Sequence, residues 1–104
     1  MEKPITMNDE RPRAIPTVQI DNDSVLVTRW EFPAGAETGW HLHKWDCVIV
    51  PLSDGCLMLE TSTGWHNAEL SEGISYYRSS GVEHNAINVS DTQFSFVEIE
   101  IKNK

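Results

Sequence analysis

From Thr17 onward the apolar residues recur at every second position, the period of an extended strand with one face turned inward. Segments of this kind cover 18–20, 24–32, 45–50, 56–61, 74–78, 84–89 and 93–101. Turn-forming clusters divide them: Asp21-Asn22-Asp23, Pro33-Ala34-Gly35, Ser53-Asp54-Gly55, Ser62-Thr63-Gly64, Ser71-Glu72-Gly73, Ser79-Ser80-Gly81 and Ser90-Asp91. No stretch carries a helical apolar stripe with caps. Many short strands at even spacing predict an all-β fold, a barrel or double-sheet jelly roll that closes or protects its sheet edges. Such a barrel can hold one small ligand inside.

Residues 1–16 break this pattern. They hold three of the five prolines and a dense set of charges without periodicity, the composition of a flexible N-terminal arm. The expected organisation is an arm over 1–16 and one barrel over 17–104, since 104 residues leave no room for a second core.

Charge narrows the partners. Eight Lys plus Arg against sixteen Asp plus Glu give a net charge of −8, which repels nucleic acid and anionic lipid. No apolar run is long enough to span a bilayer and the first residues lack the apolar core of a secretion signal, so a cytoplasmic location is expected. Cys47 and Cys56 flank an apparent hairpin turn in which Cys47 would face roughly Glu60, so no disulfide is expected.

The densest chemical signal runs from Gly35 to Cys47. His41 and His43 stand two apart in strand-like alternation, which aims both imidazoles at one face, and the same parity would add Trp45 and Cys47. A third histidine, His84, comes from a separate strand, so a metal-ligating cluster can assemble from two strands.

These two segments resemble the paired motifs of the cupin superfamily. The first motif is Gly, five residues, then His-x-His; here it is Gly35, His41 and His43. The second is Gly, five residues, Pro-x-Gly, two residues, His, three residues, Asn; here Gly73, Gly81, His84 and Asn88 match. The resemblance covers roughly residues 35–88, about half the chain, and implies a single-domain cupin, a double-stranded β-helix or jelly-roll barrel of the RmlC-like kind. Two departures stand out. Cys47 occupies the place of the family's glutamate ligand, and Ser79 replaces the proline, leaving Gly81 for a positive-φ turn.

The resemblance therefore implies a three-histidine site of His41, His43 and His84. Neutral imidazoles suit iron, zinc, nickel or copper better than magnesium or calcium. Family resemblance ranks iron first, then zinc, nickel and manganese. Cys47 as an additional thiolate ligand is the alternative, though its side chain is two heavy atoms shorter than glutamate. Glu60, Glu98 and Glu100 are other carboxylates without supporting spacing. An open metal face favours an anionic small-molecule ligand bearing carboxylate, enolate or diketonate oxygen. Trp30, Trp45, Tyr76 and Phe96 are expected to line the pocket, against the alternative of ordinary core filling. His66 is read as a surface residue and Asn88 as ordering a turn.

Three functions remain open. The first is a metal-dependent, dioxygenase-like enzyme acting on a small organic acid or diketone. The second is an isomerase or lyase in which Tyr76, Tyr77 or a glutamate moves protons. The third is a non-catalytic binding or sensor module. The segments VIVPLSDG, GVEHN and FSFVEIEI are also similar to small cupins assigned to β-alanine degradation. Small cupins are usually homodimers, and the resemblance implies the same here.

Overall fold

The structure, a computed structural model, describes residues 11–102. Its elements are β1 (Ile15–Asp21), β2 (Val25–Phe32), β3 (Glu37–Leu42), β4 (Asp46–Pro51), β5 (Gly55–Thr61), β6 (Gly64–Leu70), β7 (Tyr76–Arg78), β8 (Glu83–Asn88) and β9 (Phe94–Ile101). They form two antiparallel sheets, β1-β2-β9-β4-β7 and β3-β8-β5-β6, with no helix among the described residues. Most successive strands cross from one sheet to the other, which is the jelly-roll arrangement that the alternation predicts.

The inward face follows from side-chain parity. Along β9, Phe94, Phe96 and Glu98 are buried, and along β4 the buried set is Cys47, Ile49 and Pro51. Phe32, Phe94 and Phe96 stack at centroid separations of 5.2 and 5.5 Å and meet Leu57, Leu59 and Ile49 from across the barrel. Each such ring contributes roughly 1.5–3 kcal/mol by leaving water. This apolar plug fills one end of the barrel, so the other end is free to hold polar groups.

Asn88 closes the plug. It is fully buried, and its amide donates to the carbonyls of Phe32 (3.1 Å), Pro33 (3.2 Å) and Thr92 (2.9 Å). Its carbonyl oxygen accepts from the Ser90 backbone N–H (2.9 Å) and hydroxyl (2.7 Å). Asn88 thus orders the β8–β9 turn and ties it to the end of β2.

Four features differ from the alternation pattern. The strand continuity expected from His41 through Cys47 breaks after Leu42, because the chain must turn there to change sheets. β4 and β5 belong to different sheets and form no hairpin: Cys47 pairs with Arg78 and Glu100, whereas Cys56 pairs with Glu69, and both cysteines are free. β6 has too little alternation to announce itself, being an edge strand with Trp65, His66, Asn67 and Glu69 exposed. Within the stretch read as an arm, β1 begins at Ile15, Ala14 is buried, and Arg11 pairs with Glu37 at 3.0 Å. Residues 1–10 of that arm lie outside the described residues.

Candidate metal centre

Three short-range devices bring the histidines together. His41 on β3 is the direct register partner of His84 on β8. His43 lies one residue past β3, where its N–H donates to the Val82 carbonyl (2.9 Å) and its carbonyl accepts from the Gly81 N–H (2.8 Å). Gly81 has φ +91°, a conformation that side chains resist, so glycine lets this turn close against His43. A register shift between Glu37 and Trp40 contains Gly39 at φ +88°, whose carbonyl meets His41 Nδ1 at 2.9 Å.

The three Nε2 atoms converge. His41 Nε2 lies 3.2 Å from His43 Nε2, which lies 3.0 Å from His84 Nε2. A hydrogen-bonded acceptor on the far side sets the tautomer of His41, and a facing carboxylate favours the same tautomer in His43. The Gly39 carbonyl takes the Nδ1 proton of His41, and Glu98 Oε2 faces Nδ1 of His43 at 3.5 Å. Both Nε2 atoms then present lone pairs to one another with no proton between them. A cation resolves that opposition. Two nitrogens bonded at ~2.0–2.1 Å to one ion lie ~2.8–3.0 Å apart at a right angle and ~3.3–3.4 Å apart at the tetrahedral angle. The contacts of 3.2 and 3.0 Å fall in that span. The buried Nδ1 of His84 has no hydrogen-bond partner among the described residues, so neither acceptor nor donor on that side opposes ligation through Nε2.

Burial keeps two of the three rings neutral. Burial, then the neighbouring His41, pulls His43 down to about 4. Burial, then His41 and His43, pulls His84 down to about 3. At neutral pH both rings can bind a metal without first losing a proton.

Glu98 supports His43 from behind. Its Oε1 accepts from Trp30 Nε1 at 3.0 Å, which holds the carboxylate with its other oxygen toward the imidazole. This is the carboxylate–histidine arrangement that orients metal ligands. Glu98 has no place in the cupin motifs; only the register of β9 against β2 and β4 brings it here.

Cys47 falls in a separate group with His43 and Glu98, outside the trio of His41, His43 and His84. Burial, then Glu98, pushes its thiol up to about 12, so it carries its proton at neutral pH. A protonated thiol is a poor ligand, so without an ion the three imidazoles are the readier donors, while Cys47 could reach a cation only together with His43 and Glu98. Glu60 lies in another polar group, accepting from Asn85 at 3.3 Å.

The trio opens on a cavity of about 220 Å³ between the sheets. Leu57, Leu59, Ile49 and Phe96 form its apolar wall, and Trp30 and Tyr76 join them. Trp45 does not line the cavity. It sits on the β3–β4 turn with Lys44 Nζ 4.7 Å and Lys102 Nζ 5.6 Å from its ring centroid. The parity that placed Trp45 inward assumed an unbroken strand. Arg78, Glu98 and Glu100 also line the cavity, and of these the sequence pattern singles out none as a pocket residue. Tyr77 points outward, where its hydroxyl donates to Asp46.

No protein-family model matches the chain. It is 56% identical over 92 residues to a Pseudomonas aeruginosa protein described as β-alanine degradation protein BauB, covering 88% of this chain and 97% of that one. A solved cupin domain from Bordetella pertussis Tohama I is 61% identical, covers 90% of this chain and 98% of its own, and superposes with a TM-score of 0.88. An RmlC-like cupin with a double-stranded β-helix from Methanocaldococcus jannaschii, 14% identical, shares the fold over 91% of this chain and 85% of its own at a TM-score of 0.71. With both histidine motifs on facing strands of a double-stranded β-helix, and with relatives this similar over nearly its whole length, the chain belongs to the cupin superfamily, in the same family as BauB.

Proposed function

We propose that this protein is a metal-dependent, dioxygenase-like enzyme acting on a small organic acid or diketone. The carrying observation is the apposition of three histidine Nε2 atoms, two of them with tautomers that leave lone pairs facing each other. His41, His43 and His84 would hold the ion, with iron first by family and zinc, nickel or manganese after it. Bound there, the ion supplies Lewis-acid polarisation of ligand oxygens and a seat for dioxygen.

The chain's own residues do the rest. Glu98 orients His43, and the apolar wall excludes water from a ligand. A cavity of about 220 Å³ favours a ligand of a few carbons over an extended aromatic one. The name of the Pseudomonas relative refers to β-alanine degradation, and we carry that route to this chain, where a short acid fits the cavity. Metal analysis of the purified protein, then oxygen uptake with Fe(II) across diketones, short oxo acids and β-amino acids, tests the reading. Metal-replete protein that consumes no oxygen with any of them refutes it.

One observation favours a second reading, an isomerase or lyase. Burial, then Glu98, pushes Glu100 up to about 7 in the cavity wall, which suits a group that gives and takes a proton near neutrality. Turnover without oxygen uptake identifies it.

We also propose a cytoplasmic homodimer. Every residue of the outermost strand β1 is exposed, including Ile15 (49%), Val18 (58%) and Ile20 (47%), and a second copy would bury them. Sedimentation at the monomer mass counts against the dimer.

A further inference from the structure

One row of inward positions crosses the larger sheet at the histidine end of the barrel. Cys47 pairs with Glu100 on one side and with Arg78 on the other, so the row reads Glu100, Cys47, Arg78. Neighbouring strands lie ~4.8 Å apart, which separates the two backbone positions by about 9–10 Å, and no salt bridge joins the two side chains among the described residues. The cavity wall is therefore polarised, with Glu98 and Glu100 on β9 and a cation on β7.

Arg78 forms no salt bridge among the described residues. Its guanidinium lies over the Tyr76 ring, 5.5 Å from the centroid, and Nη2 donates to the Tyr76 hydroxyl at 3.3 Å. That contact engages one of the five N–H groups of a guanidinium fork. The strand beneath is fixed on both sides: Asp46 accepts from the Tyr77 hydroxyl and from the Ser80 N–H, the latter at 2.8 Å. The cavity thus holds a half-buried, positioned cation with no carboxylate of its own among the described residues, in the wall that also contains the histidines.

We propose that Arg78 is a carboxylate subsite, and that the ligand of this cavity is a short oxo acid whose carboxylate docks on Arg78 while its other oxygen faces His41, His43 and His84. A guanidinium fork matches a carboxylate with two parallel hydrogen bonds, and low local polarity strengthens them. Leu57, Leu59 and Phe96 enclose the carbon skeleton. The inference rests on the metal reading for the second oxygen; the Arg78 contact itself stands on geometry alone.

Acetoacetate and acetylacetone are matched probes: they share a skeleton and differ by a carboxylate in place of a methyl ketone. Binding of each to the protein as purified is measured anaerobically by calorimetry, with metal content determined on the same samples, for wild type, R78Q and R78K. R78Q weakens acetoacetate by about 10- to 100-fold, R78K weakens it less, acetylacetone stays within about 2-fold, and metal content does not change. Equal weakening of both probes marks a purely structural role and overturns the subsite, as does metal-replete protein in which neither variant alters acetoacetate affinity. Metal-free wild type that still binds acetoacetate through Arg78 refutes the metal reading and leaves the subsite standing.

Discussion

His41 and His84 are register partners across β3 and β8, and their imidazoles stand edge to face with centroids 4.8 Å apart. The antiparallel ladder therefore sets one edge of the metal triangle in backbone geometry. His43 completes it from outside the strand, held by backbone bonds to Gly81 and Val82. Because two ligands are fixed by a ladder and the third by a turn, the site is preorganised before any ion arrives.

Removing the turn-held ligand separates the three-histidine reading from thiolate ligation. His43→Ala is expected to reduce bound metal from about one per chain to under about a tenth, since only two ligands remain. Cys47→Ser is expected to leave metal content unchanged, because the thiol is protonated and three imidazoles already converge without it. Elemental analysis after gel filtration decides, and stoichiometric loss in the serine variant would reverse the assignment.

Glu98→Gln keeps the shape and removes the charge behind His43. Loss of such a supporting carboxylate weakens metal affinity by about 10- to 100-fold. Trp30→Phe, which frees Glu98 Oε1 from its donor, is expected to move affinity in the same direction by less. Competition with a chromogenic chelator measures both, and unchanged affinity in Glu98→Gln would remove the carboxylate from the site.

The stability of the metal-free protein is expected to depend on pH with two opposing contributions. His43 and His84 resist protonation in the folded state, at about 4 and about 3 against 6.5 for the free group. Their contribution is complete above pH 6.5 and is lost as pH falls through 4 toward 3. Glu100 is raised from 4.5 to about 7, so its contribution is complete below 4.5 and is lost as pH rises through 7. Glu100→Gln removes the second contribution alone. Urea unfolding should show the variant gaining on wild type between pH 5 and pH 8; a constant difference would contradict the shift.

Asn88→Ala removes a buried amide that satisfies three carbonyls and two donors. Leaving several of those groups unpaired is expected to destabilise the fold by about 3 kcal/mol. Thermal or urea unfolding reads this directly, and a loss under about 1 kcal/mol would mean the turn finds other partners.

Much of this molecule is legible in its residue order. Alternation along β4 and β9 and short apolar runs between turn clusters elsewhere announce an all-β barrel, because a strand's two faces are written locally, one residue at a time. The His-x-His spacing and the second motif name the three histidines for the same reason: each is a short-range pattern. Asn88 is also readable, since the turn it orders lies within a few residues.

Tertiary structure alone decides the rest. Glu98, Glu100 and Arg78 reach the cavity because registers between distant strands line up, and register is a property of two segments that neither contains by itself. Trp45 leaves the cavity because the chain turns after Leu42 to change sheets, a demand of barrel closure that local parity does not record. Cys47 keeps its proton because of what surrounds it, burial and a neighbouring carboxylate, and those surroundings exist only once the two sheets have closed.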